Sequence, residues 1–350
     1  MRRTRLGRTD LTIPVVCLGT MTFGEQNTEA EGHAQLDRAL AHGIDFFDTA
    51  EFYSIPPRPE TQGRTEEIIG SWIRARGNRD RVTIATKICG RSDMDWFRDD
   101  GSACRLTRAQ VDEAVFKSLK RLGIDTIDLY QVHWPDRRVP SFGSNSTIWT
   151  NPARADDEVE IEETFEALAA HVKAGRIRHI GLSNESTWGV MRWLRAAEMS
   201  GGPRIVSIQN AYNLLNRSFE LNLAEAVGRE DVSLLAYSPL GQGYLTGKYR
   251  GGALPAGSRK KLFDRLQRYE RPNAAEAVEA YCGLAADLGI SPATLAIAFA
   301  ASRPFVASVI IGATSMAQLE EDLAAFDFAV TPEIAARIDE IHLRLPNPCP

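Results

Sequence analysis

The stretch Ile44-Asp45-Phe46-Phe47-Asp48 is a short, largely apolar run that ends on a carboxylate. It is typical of a β-strand, and comparable runs alternate with amphipathic segments from one end of the chain to the other. This alternation is the pattern of strand–helix units rather than of a sandwich or a helix bundle. The predicted strands are Val15–Leu18, Ile44–Asp48, Val82–Lys87, Ile127–His133, Ile177–Leu182, Ile205–Gln209, Val232–Tyr237 and Val306–Ile311.

Most of these strands are apolar on both faces, as strands covered by helices must be. We therefore predict an α/β fold, a TIM (β/α)8 barrel formed by a single domain over residues 1–350, with an extra C-terminal helix. Capping-box patterns at Thr107-Arg108-Ala109-Gln110 and Ser315-Met316-Ala317-Gln318 mark helix starts, and proline takes the first helical position after Ser291 and Thr331.

A hairpin is predicted ahead of the first barrel strand. Thr4–Leu6 and Leu11–Pro14 flank Gly7-Arg8-Thr9-Asp10, which has the composition of a tight turn. In a barrel, this hairpin would plug the N-terminal mouth.

Composition excludes several kinds of partner. The formal net charge is only -5 with 25% charged residues, so no basic field is available to attract nucleic acid or an anionic membrane. The longest apolar stretches, such as Ala293–Ala301, are far shorter than the roughly 20 residues that cross a bilayer. We predict a small-molecule partner.

The five cysteines are scattered and include no C-x-x-C pair, which argues against a disulfide framework or a zinc cluster. They fit a reducing cytoplasm, and Arg2-Arg3 is not followed by the apolar segment of an export signal. We expect a cytoplasmic protein without a metal site. The sequence does not indicate the oligomeric state.

Three connections are longer than ordinary strand–helix loops: Glu51–Gly63, Pro135–Asp157 and Ser238–Pro272. Each follows a strand, so all three should lie at the C-terminal face, where barrel enzymes keep their chemistry. The first contains Ile55-Pro56-Pro57-Arg58-Pro59 and is predicted to be stiff and extended.

Ionisable side chains end three consecutive predicted strands, namely Asp48, Lys87 and His133, and Tyr53 follows in the first long loop. Taken singly, each has an ordinary structural interpretation, such as a helix cap, a packed aromatic residue or a solvated strand end. Together they favour a functional site, because gathering charges on one buried rim carries a desolvation cost.

These four groups suit the reduction of a carbonyl. Hydride addition leaves negative charge on the oxygen, which then needs a proton, and a phenol with a pKa near about 10 donates poorly at neutral pH. The ammonium of Lys87 should lower the pKa of Tyr53, while Asp48 keeps that lysine charged and oriented. His133 could donate a second hydrogen bond to the oxygen and fix the substrate's angle.

Several motifs resemble the aldo-keto reductase family, and the likeness covers nearly the whole chain. They are Gly19-Thr20-Met21-Thr22-Phe23-Gly24, Phe47-Asp48-Thr49-Ala50-Glu51-Phe52-Tyr53, Leu129-Tyr130-Gln131-Val132-His133-Trp134, Gly181-Leu182-Ser183-Asn184 and Ala236-Tyr237-Ser238-Pro239-Leu240. The segments Gly24-Glu25-Gln26-Asn27 and Pro56-Pro57-Arg58-Pro59-Glu60-Thr61-Gln62-Gly63 resemble the Tas-type branch. The resemblance implies an NADPH-dependent reductase of aldehydes or ketones whose catalytic tetrad is Asp48, Tyr53, Lys87 and His133.

The resemblance also implies where NADP(H) binds. Ser183, Asn184 and Gln209 would bind the nicotinamide carboxamide, and Tyr237 would stack on the ring. The other implied cofactor-binding residues are Thr20, Met21, Asp48, Ser238, Pro239, Leu240, Gly241, Lys248, Arg259, Gly312, Thr314, Gln318, Glu321 and Asp322.

Local patterns bear on the same cofactor site. Gly241-Gln242-Gly243 lacks the third glycine of a dinucleotide fingerprint, so a Rossmann site is weakly indicated. Gly312-Ala313-Thr314-Ser315 leads into a capped helix and would offer free backbone N–H groups to a phosphate. Ser258-Arg259-Lys260-Lys261 would add mobile positive charge, although a solvated surface stretch is an equal interpretation. Asp322 stands where the family usually has asparagine, and its carboxylate would repel a 2′-phosphate.

Five large apolar side chains could wall the carbonyl site, although core packing is the default interpretation of each one alone. They are Met21, Phe52, Trp96, Trp134 and Trp149.

Other functions stay open. A Schiff-base aldolase would need Lys87 with a lowered pKa, which Asp48 opposes. A metal-dependent hydrolase is disfavoured because the six histidines include no H-x-H pair at a strand end. The alternative from another class is an NADPH-sensing regulatory subunit with little turnover, as channel-attached barrels of the family are, but the full tetrad favours turnover.

Overall fold

The computed structural model describes residues 1–140, 148, 152–264 and 267–350. Strands β1 (Arg3–Arg5) and β2 (Thr12–Pro14) pair antiparallel ahead of the main sheet. The strands of the main sheet are β3 (Val16–Gly19), β4 (Phe46–Asp48), β5 (Thr83–Ile88), β6 (Ile127–Val132), β7 (Ile177–Ser183), β8 (Ile205–Ala211), β9 (Ser233–Tyr237) and β10 (Val306–Ile311). They close into a parallel barrel in chain order, with β10 paired to β3.

The predicted barrel and its N-terminal hairpin are confirmed. Every predicted strand is present, with ends that shift by at most two residues. The start of β4 moves to Phe46, although the carbonyl of Asp45 still accepts a hydrogen bond from the Thr83 backbone N–H at 2.7 Å.

Helices cover the outer face of the barrel. They are α1 (Glu29–Ala41), α2 (Arg64–Arg76), α3 (Arg108–Leu122), α4 (Ile161–Lys173), α5 (Thr187–Ser200), α6 (Leu223–Glu230), α7 (Arg259–Phe263), α8 (Ala274–Asp287), α9 (Pro292–Ser302), α10 (Met316–Ala324) and α11 (Pro332–Arg344). The extra C-terminal helix of the prediction is α11. Between β9 and β10 the chain inserts α7 and α8 ahead of α9, so this connection is the most elaborate in the described part of the barrel.

The predicted N-cap hydrogen bonds at Thr107 and Ser315 are present, but the reciprocal hydrogen bond that would complete a capping box is absent from both of these helix starts. Thr107 accepts from the Gln110 backbone N–H at 3.4 Å, and Ser315 accepts from the Gln318 backbone N–H at 3.3 Å. A capping box also requires the glutamine side chain to bond the cap residue's own N–H. Gln110 instead accepts from the Arg105 N–H at 2.7 Å, so the full capping-box prediction was wrong there, and Gln318 likewise bonds elsewhere.

The hairpin closes the N-terminal mouth of the barrel. Leu6 and Ile13 have no exposed surface and belong to the same apolar cluster as the side chains inside the barrel. Gly7 adopts φ +54, and a Cβ there would lie 2.7 Å from the Val206 carbonyl oxygen, so the close approach of hairpin to barrel requires glycine. The predicted plug therefore completes the barrel core.

Successive side chains of a strand point to opposite faces, so the side chains that point into the barrel form layers. In β4, Phe47 points outward and packs on Trp72 with ring centroids 5.4 Å apart. The apolar layer next to the plug includes Phe46, Ala85, Leu129 and Leu235. Two residues further along the same strands, the next layer includes Asp48, Lys87, Gln131 and Tyr237. The polar layer thus lies at the carboxyl ends of the strands.

Within the described ranges, no single helix has both the length and the apolar composition needed to cross a membrane. Helices α8 and α9 reach that composition only as a pair, and they are bent by 95° relative to each other.

Truncating the plug should destabilise the barrel. We expect Leu6→Ala to lower the free energy of unfolding by roughly 2–5 kcal/mol, because a fully buried leucine loses its contacts and leaves a cavity. Urea unfolding followed by circular dichroism measures this change. Leu343→Ala is the control, since Leu343 is 79% exposed on α11, and it should change stability by less than about 0.5 kcal/mol. Equal effects of the two variants would contradict a stabilising plug.

Candidate active site at the barrel mouth

The carboxyl ends of the barrel strands open into a cavity of about 2110 Å³. All three long connections contribute to its wall, through residues such as Phe52, Arg137 and Lys248. The cavity therefore lies at the face where barrels carry their chemistry.

The first long connection folds back on itself, so the prediction of an extended segment was wrong. It includes a short 3-10 helix at Pro59–Thr61. The Gly63 N–H donates to the Tyr53 carbonyl at 2.8 Å, and the Ile55 N–H donates to the Met21 carbonyl at 3.2 Å. These bonds return Tyr53 over the barrel mouth.

Lys87 is the centre of the site and has no exposed surface. Its Nζ lies 2.5 Å from Asp48 Oδ1 and 2.7 Å from the carbonyl oxygen of Thr49. A buried ammonium without such partners would be strongly destabilising. The salt bridge and the carbonyl together hold the charge in place.

The second oxygen of Asp48 is held by two amides. Gln209 Nε2 donates to Oδ2 at 2.8 Å, and Gln131 Nε2 donates to the same atom at 3.1 Å. Gln209 is predicted from the sequence to bind only the cofactor, and the role of Gln131 is not predicted. The signal was available, because Gln131 precedes His133 by two residues on β6 and so shares its face.

Tyr53 and His133 complete the group. Lys87 Nζ lies 5.0 Å from the centroid of the Tyr53 ring, and the Tyr53 and His133 rings are 5.5 Å apart at 83°. The structure thus brings all four predicted catalytic residues together, although Lys87 lies behind the cavity wall rather than on it.

Burial dominates the titration behaviour of these groups. It raises the pKa of Tyr53 despite the opposing charge of Lys87 and a hydrogen bond from it. The lowered phenol pKa expected from the sequence is therefore wrong for the protein without ligand. Burial by itself would lower the pKa of Lys87. The charge of Asp48 and the contribution of Tyr53 outweigh burial, so the pKa of the lysine is raised. Burial, followed by the charge of Lys87, holds the pKa of His133 well below its usual value.

A second buried ion pair fixes the segment that carries Tyr53. Glu51 accepts from Arg98 Nη2 at 2.9 Å and from Nη1 at 3.0 Å, and both side chains are fully buried. The Cys89 backbone N–H also donates to Glu51, at 2.8 Å. The pairing of Glu51 with Arg98 is not predictable from local sequence patterns, because it joins segments far apart along the chain.

The predicted cofactor residues are distributed along the cavity wall with one exception. Gly241 is not on the wall, and its N–H already donates to the Ser238 carbonyl at 2.9 Å. The residues that line the cavity are Thr20, Met21, Asp48, Ser183, Asn184, Gln209, Tyr237, Ser238, Pro239, Leu240, Lys248, Arg259, Gly312, Thr314, Gln318, Glu321 and Asp322. This placement is compatible with a dinucleotide site and leaves their individual roles as predictions.

The elements that the sequence predicts to bind phosphate differ in detail from expectation. The Thr314 N–H is not free, because the Gln318 side chain accepts from it at 2.9 Å. The basic run is not a mobile loop, since Ser258 caps the short helix α7. Lys260 pairs with Glu270 and donates to Tyr244 at 3.2 Å.

Asp322 is buried near the adenosine end of the predicted site. Burial first, and the charge of Glu321 second, raise its pKa to about 8. At neutral pH the side chain is therefore mostly an uncharged acid. The expectation that Asp322 carries a charge that repels a 2′-phosphate is therefore wrong below about pH 8.

Three of the five side chains predicted to wall the carbonyl site line the cavity. Met21, Phe52 and Trp134 line the cavity, whereas Trp96 lies behind it, stacked on Phe97 at 5.7 Å. Trp149 lies outside the described residues.

Several charged residues on this side of the cavity form ion pairs. Arg91 Nη2 bonds Asp136 at 2.7 Å and Arg91 Nη1 bonds Asp157 at 2.8 Å. Arg137 pairs with Glu185. These ion pairs fasten the second long connection to its neighbours. The periodicity of the sequence does not predict them.

Comparison with known proteins agrees with this fold. Residues 15–343 match the Aldo/keto reductase family. The chain therefore belongs to the aldo-keto reductase family, which is a family of oxidoreductases.

Individual relatives cover the whole barrel. The chain is 47% identical to Protein tas of Escherichia coli (strain K12) over the full length of both chains, which confirms the resemblance to the Tas-type branch. It is 32% identical to the Uncharacterized oxidoreductase YrpG of Bacillus subtilis, covering 97% of this chain and 96% of the other. It is 31% identical to a Probable voltage-gated potassium channel subunit beta of Arabidopsis thaliana, with the same coverage.

Asp322→Asn should change how stability depends on pH. The folded protein keeps the proton of Asp322 up to about pH 8, while the unfolded chain loses it near the ordinary value of 3.8. Wild-type stability should therefore match that of the variant below about pH 4 and fall increasingly behind it between pH 4 and about pH 8, above which the difference stays constant. The deficit above pH 8 should reach roughly 2–5 kcal/mol.

Urea unfolding at pH 4, 6 and 9 measures this difference. Glu340→Gln, at an exposed carboxylate on α11, is the control and should show no such trend. A difference between wild type and Asp322→Asn that does not vary with pH would contradict the assignment.

Proposed function

We propose that this protein reduces an aldehyde or ketone to an alcohol with NADPH, and that Tyr53 supplies the proton. The grouping of Asp48, Lys87, Tyr53 and His133 beside one large cavity carries this proposal. Membership of an oxidoreductase family supports it independently.

The residues of the cavity suit a nicotinamide dinucleotide. Ligand pockets are commonly 300–1,000 Å³, so a cavity of about 2110 Å³ has room for the dinucleotide and a second molecule. Lys248 faces it without an ion-pair partner among the described residues, which suits the negative charge of phosphates. Ser183, Asn184 and Gln209 would hold the carboxamide end, and Tyr237 would support the ring.

The four grouped side chains would have different roles in protonating the carbonyl oxygen. When bound, the nicotinamide would supply the hydride. Tyr53, protonated at neutral pH because its pKa is raised, would hold the proton next to the carbonyl oxygen. Lys87 would stabilise the phenolate that remains, since its ammonium lies against that ring and is fixed by Asp48.

His133 would orient the carbonyl. Its lowered pKa leaves the imidazole neutral at pH 7, and a neutral imidazole still carries one N–H that can donate to oxygen. Its Nδ1 is buried without a hydrogen-bond partner among the described residues. The aromatic side chains Phe52 and Trp134, with rings 5.7 Å and 4.9 Å from His133, would keep water away from the reacting oxygen.

Two other functions fit less well. A Schiff-base mechanism needs a neutral amine, whereas the raised pKa of Lys87 keeps it charged. An NADPH-sensing subunit is the main alternative, since a probable channel subunit is among the relatives. A sensor does not require a proton donor at the carbonyl site, so turnover by wild type separates the two functions.

Removing the phenol hydroxyl should abolish most turnover. We expect Tyr53→Phe to lower kcat by about 10²–10⁴-fold, because general acid catalysis contributes on that order. The Kd for NADPH should change little, since the proton donor acts mainly in the transition state. NADPH oxidation with a panel of aldehydes, ketones and dicarbonyls measures the first quantity, and quenching of tryptophan fluorescence measures the second.

Tyr281→Phe provides a matched control. The Tyr281 hydroxyl is also buried but has no hydrogen-bond partner among the described residues and lies away from the cavity wall. This variant should keep the wild-type kcat. Unchanged turnover in Tyr53→Phe would refute the role given to that residue.

NADPH should bind more tightly than NADH at pH 7. Lys248 and Arg259 supply positive charge to the cavity wall, and the Asp322 carboxyl is mostly protonated at this pH, so the additional phosphate of NADPH meets little repulsion. Fluorescence titration with each cofactor measures the two Kd values. Equal affinities would remove the preference from the proposal.

A further inference from the structure

Arg268 is a cation of the cavity wall that neither the motifs nor the mechanism uses. It lies in the short 3-10 helix Gln267–Tyr269, within the long connection between β9 and α8. Its Nη1 is 3.4 Å from the hydroxyl oxygen of Tyr237, close to the limit for a hydrogen bond. Its Nε is buried and has no hydrogen-bond partner among the described residues.

Among the residues that the structure describes, no neighbouring carboxylate neutralises the charge of this guanidinium. No described Asp or Glu oxygen lies within 4.0 Å of it, and the groups that act on it most strongly are Tyr237, Tyr269 and Cys349. An arginine is always protonated in proteins, so the positive charge persists. Holding it in a partly buried position without an acid costs free energy.

Three other largely buried arginines of the described chain do have acidic partners. Arg98 is paired with Glu51, Arg121 with Glu66 and Arg217 with Glu220. Each of these pairs is part of the scaffold. Arg268 differs from them because the space beside it is the cavity, so its missing partner can be a ligand.

We propose that Arg268 binds an oxyanion inside the cavity, and that this oxyanion is a phosphate of the dinucleotide. The identity of the anion rests on the proposed function. With the nicotinamide ring on Tyr237, the nearest anionic group of the cofactor is the phosphate one ribose away. A guanidinium presents paired N–H donors that match phosphate geometry.

The surroundings of Arg268 allow it to engage such a ligand. Within the described ranges the Arg268 side chain makes one hydrogen bond, to Tyr237, which is long and therefore weak, so turning the guanidinium towards the cavity costs little free energy. Tyr237 keeps its own bond to Asn184 Oδ1 at 2.7 Å, and Asn184 Nδ2 donates to the His133 carbonyl at 2.9 Å. The anion site is thus connected to the strand end that carries the imidazole.

A carboxylate on the carbonyl substrate has the same chemistry and is the other source of an oxyanion. The test therefore compares Arg268→Met with wild type in two arms. The first measures the Kd of NADPH and of inorganic pyrophosphate by calorimetry. The second compares kcat/KM for 4-carboxybenzaldehyde with that for uncharged benzaldehyde.

We expect the NADPH Kd to rise roughly 10- to 100-fold in Arg268→Met, because a charge-assisted hydrogen bond to phosphate is lost. The ratio of the two kcat/KM values should not change. An unchanged NADPH Kd with a loss of preference for the carboxylated aldehyde would overturn the phosphate assignment and identify the substrate as the source. No change in either arm would overturn the oxyanion site itself.

Stability separates ligand binding from a structural role. Without ligand, Arg268→Met should keep or raise the midpoint of urea unfolding, since it removes an unpaired charge. A lower midpoint with an unchanged NADPH Kd would show that Arg268 is structural. Arg268→Lys should restore part of the affinity, because it keeps the charge and loses the paired donors.

Arg303→Met is the matched control. Arg303 also has a buried Nε without a hydrogen-bond partner in the described ranges, and its guanidinium lies 5.1 Å from the centroid of the Phe299 ring, but it is not on the cavity wall. This variant should bind NADPH as wild type does. If wild type itself fails to bind NADPH, the proposed function fails, and the pyrophosphate titration still tests whether Arg268 binds an anion.

Discussion

The site depends on one buried charge, the ammonium of Lys87. It has no exposed surface, so its stability requires the carboxylate of Asp48 at 2.5 Å and the Thr49 carbonyl at 2.7 Å. Those partners are in reach only because the barrel is closed and β4 lies beside β5. The geometry of the strands and the electrostatics of the site therefore support each other.

The requirement that buried polar groups have partners extends from Lys87 to the residues that bind Asp48. Asp48 must present its second oxygen to donors, and the amides of Gln131 and Gln209 provide them from β6 and β8. Tyr53 then lies against a cation whose position is already fixed. Burial raises the pKa of the phenol and lowers that of His133, so in the protein without ligand both groups are neutral at pH 7. A tyrosine that is protonated beside a fixed ammonium is suited to give up its proton when negative charge develops nearby.

Ion pairs also hold the long connections around the cavity. Glu51 with Arg98 anchors the segment of Tyr53, and Arg91 with Asp136 anchors the connection after β6. Lys248 and Arg268 have no such carboxylate partner in the described part of the chain and face the cavity instead. The scaffold thus neutralises the charges it needs for structure and leaves positive charge where an anionic ligand would lie.

Alternating apolar runs and local caps determined the barrel and its plug, because strand–helix periodicity and turn chemistry are written in neighbouring residues. Strand ends also indicated Asp48, Lys87 and His133, since the carboxyl ends of parallel strands must meet. Only the tertiary structure decided that Gln131 holds Asp48, that Glu51 pairs with Arg98, that Gly241 is off the cavity wall and that burial sets the pKa of Tyr53 and Asp322. Each of these depends on the distance, desolvation or orientation of groups far apart along the chain, and local sequence patterns do not encode those quantities.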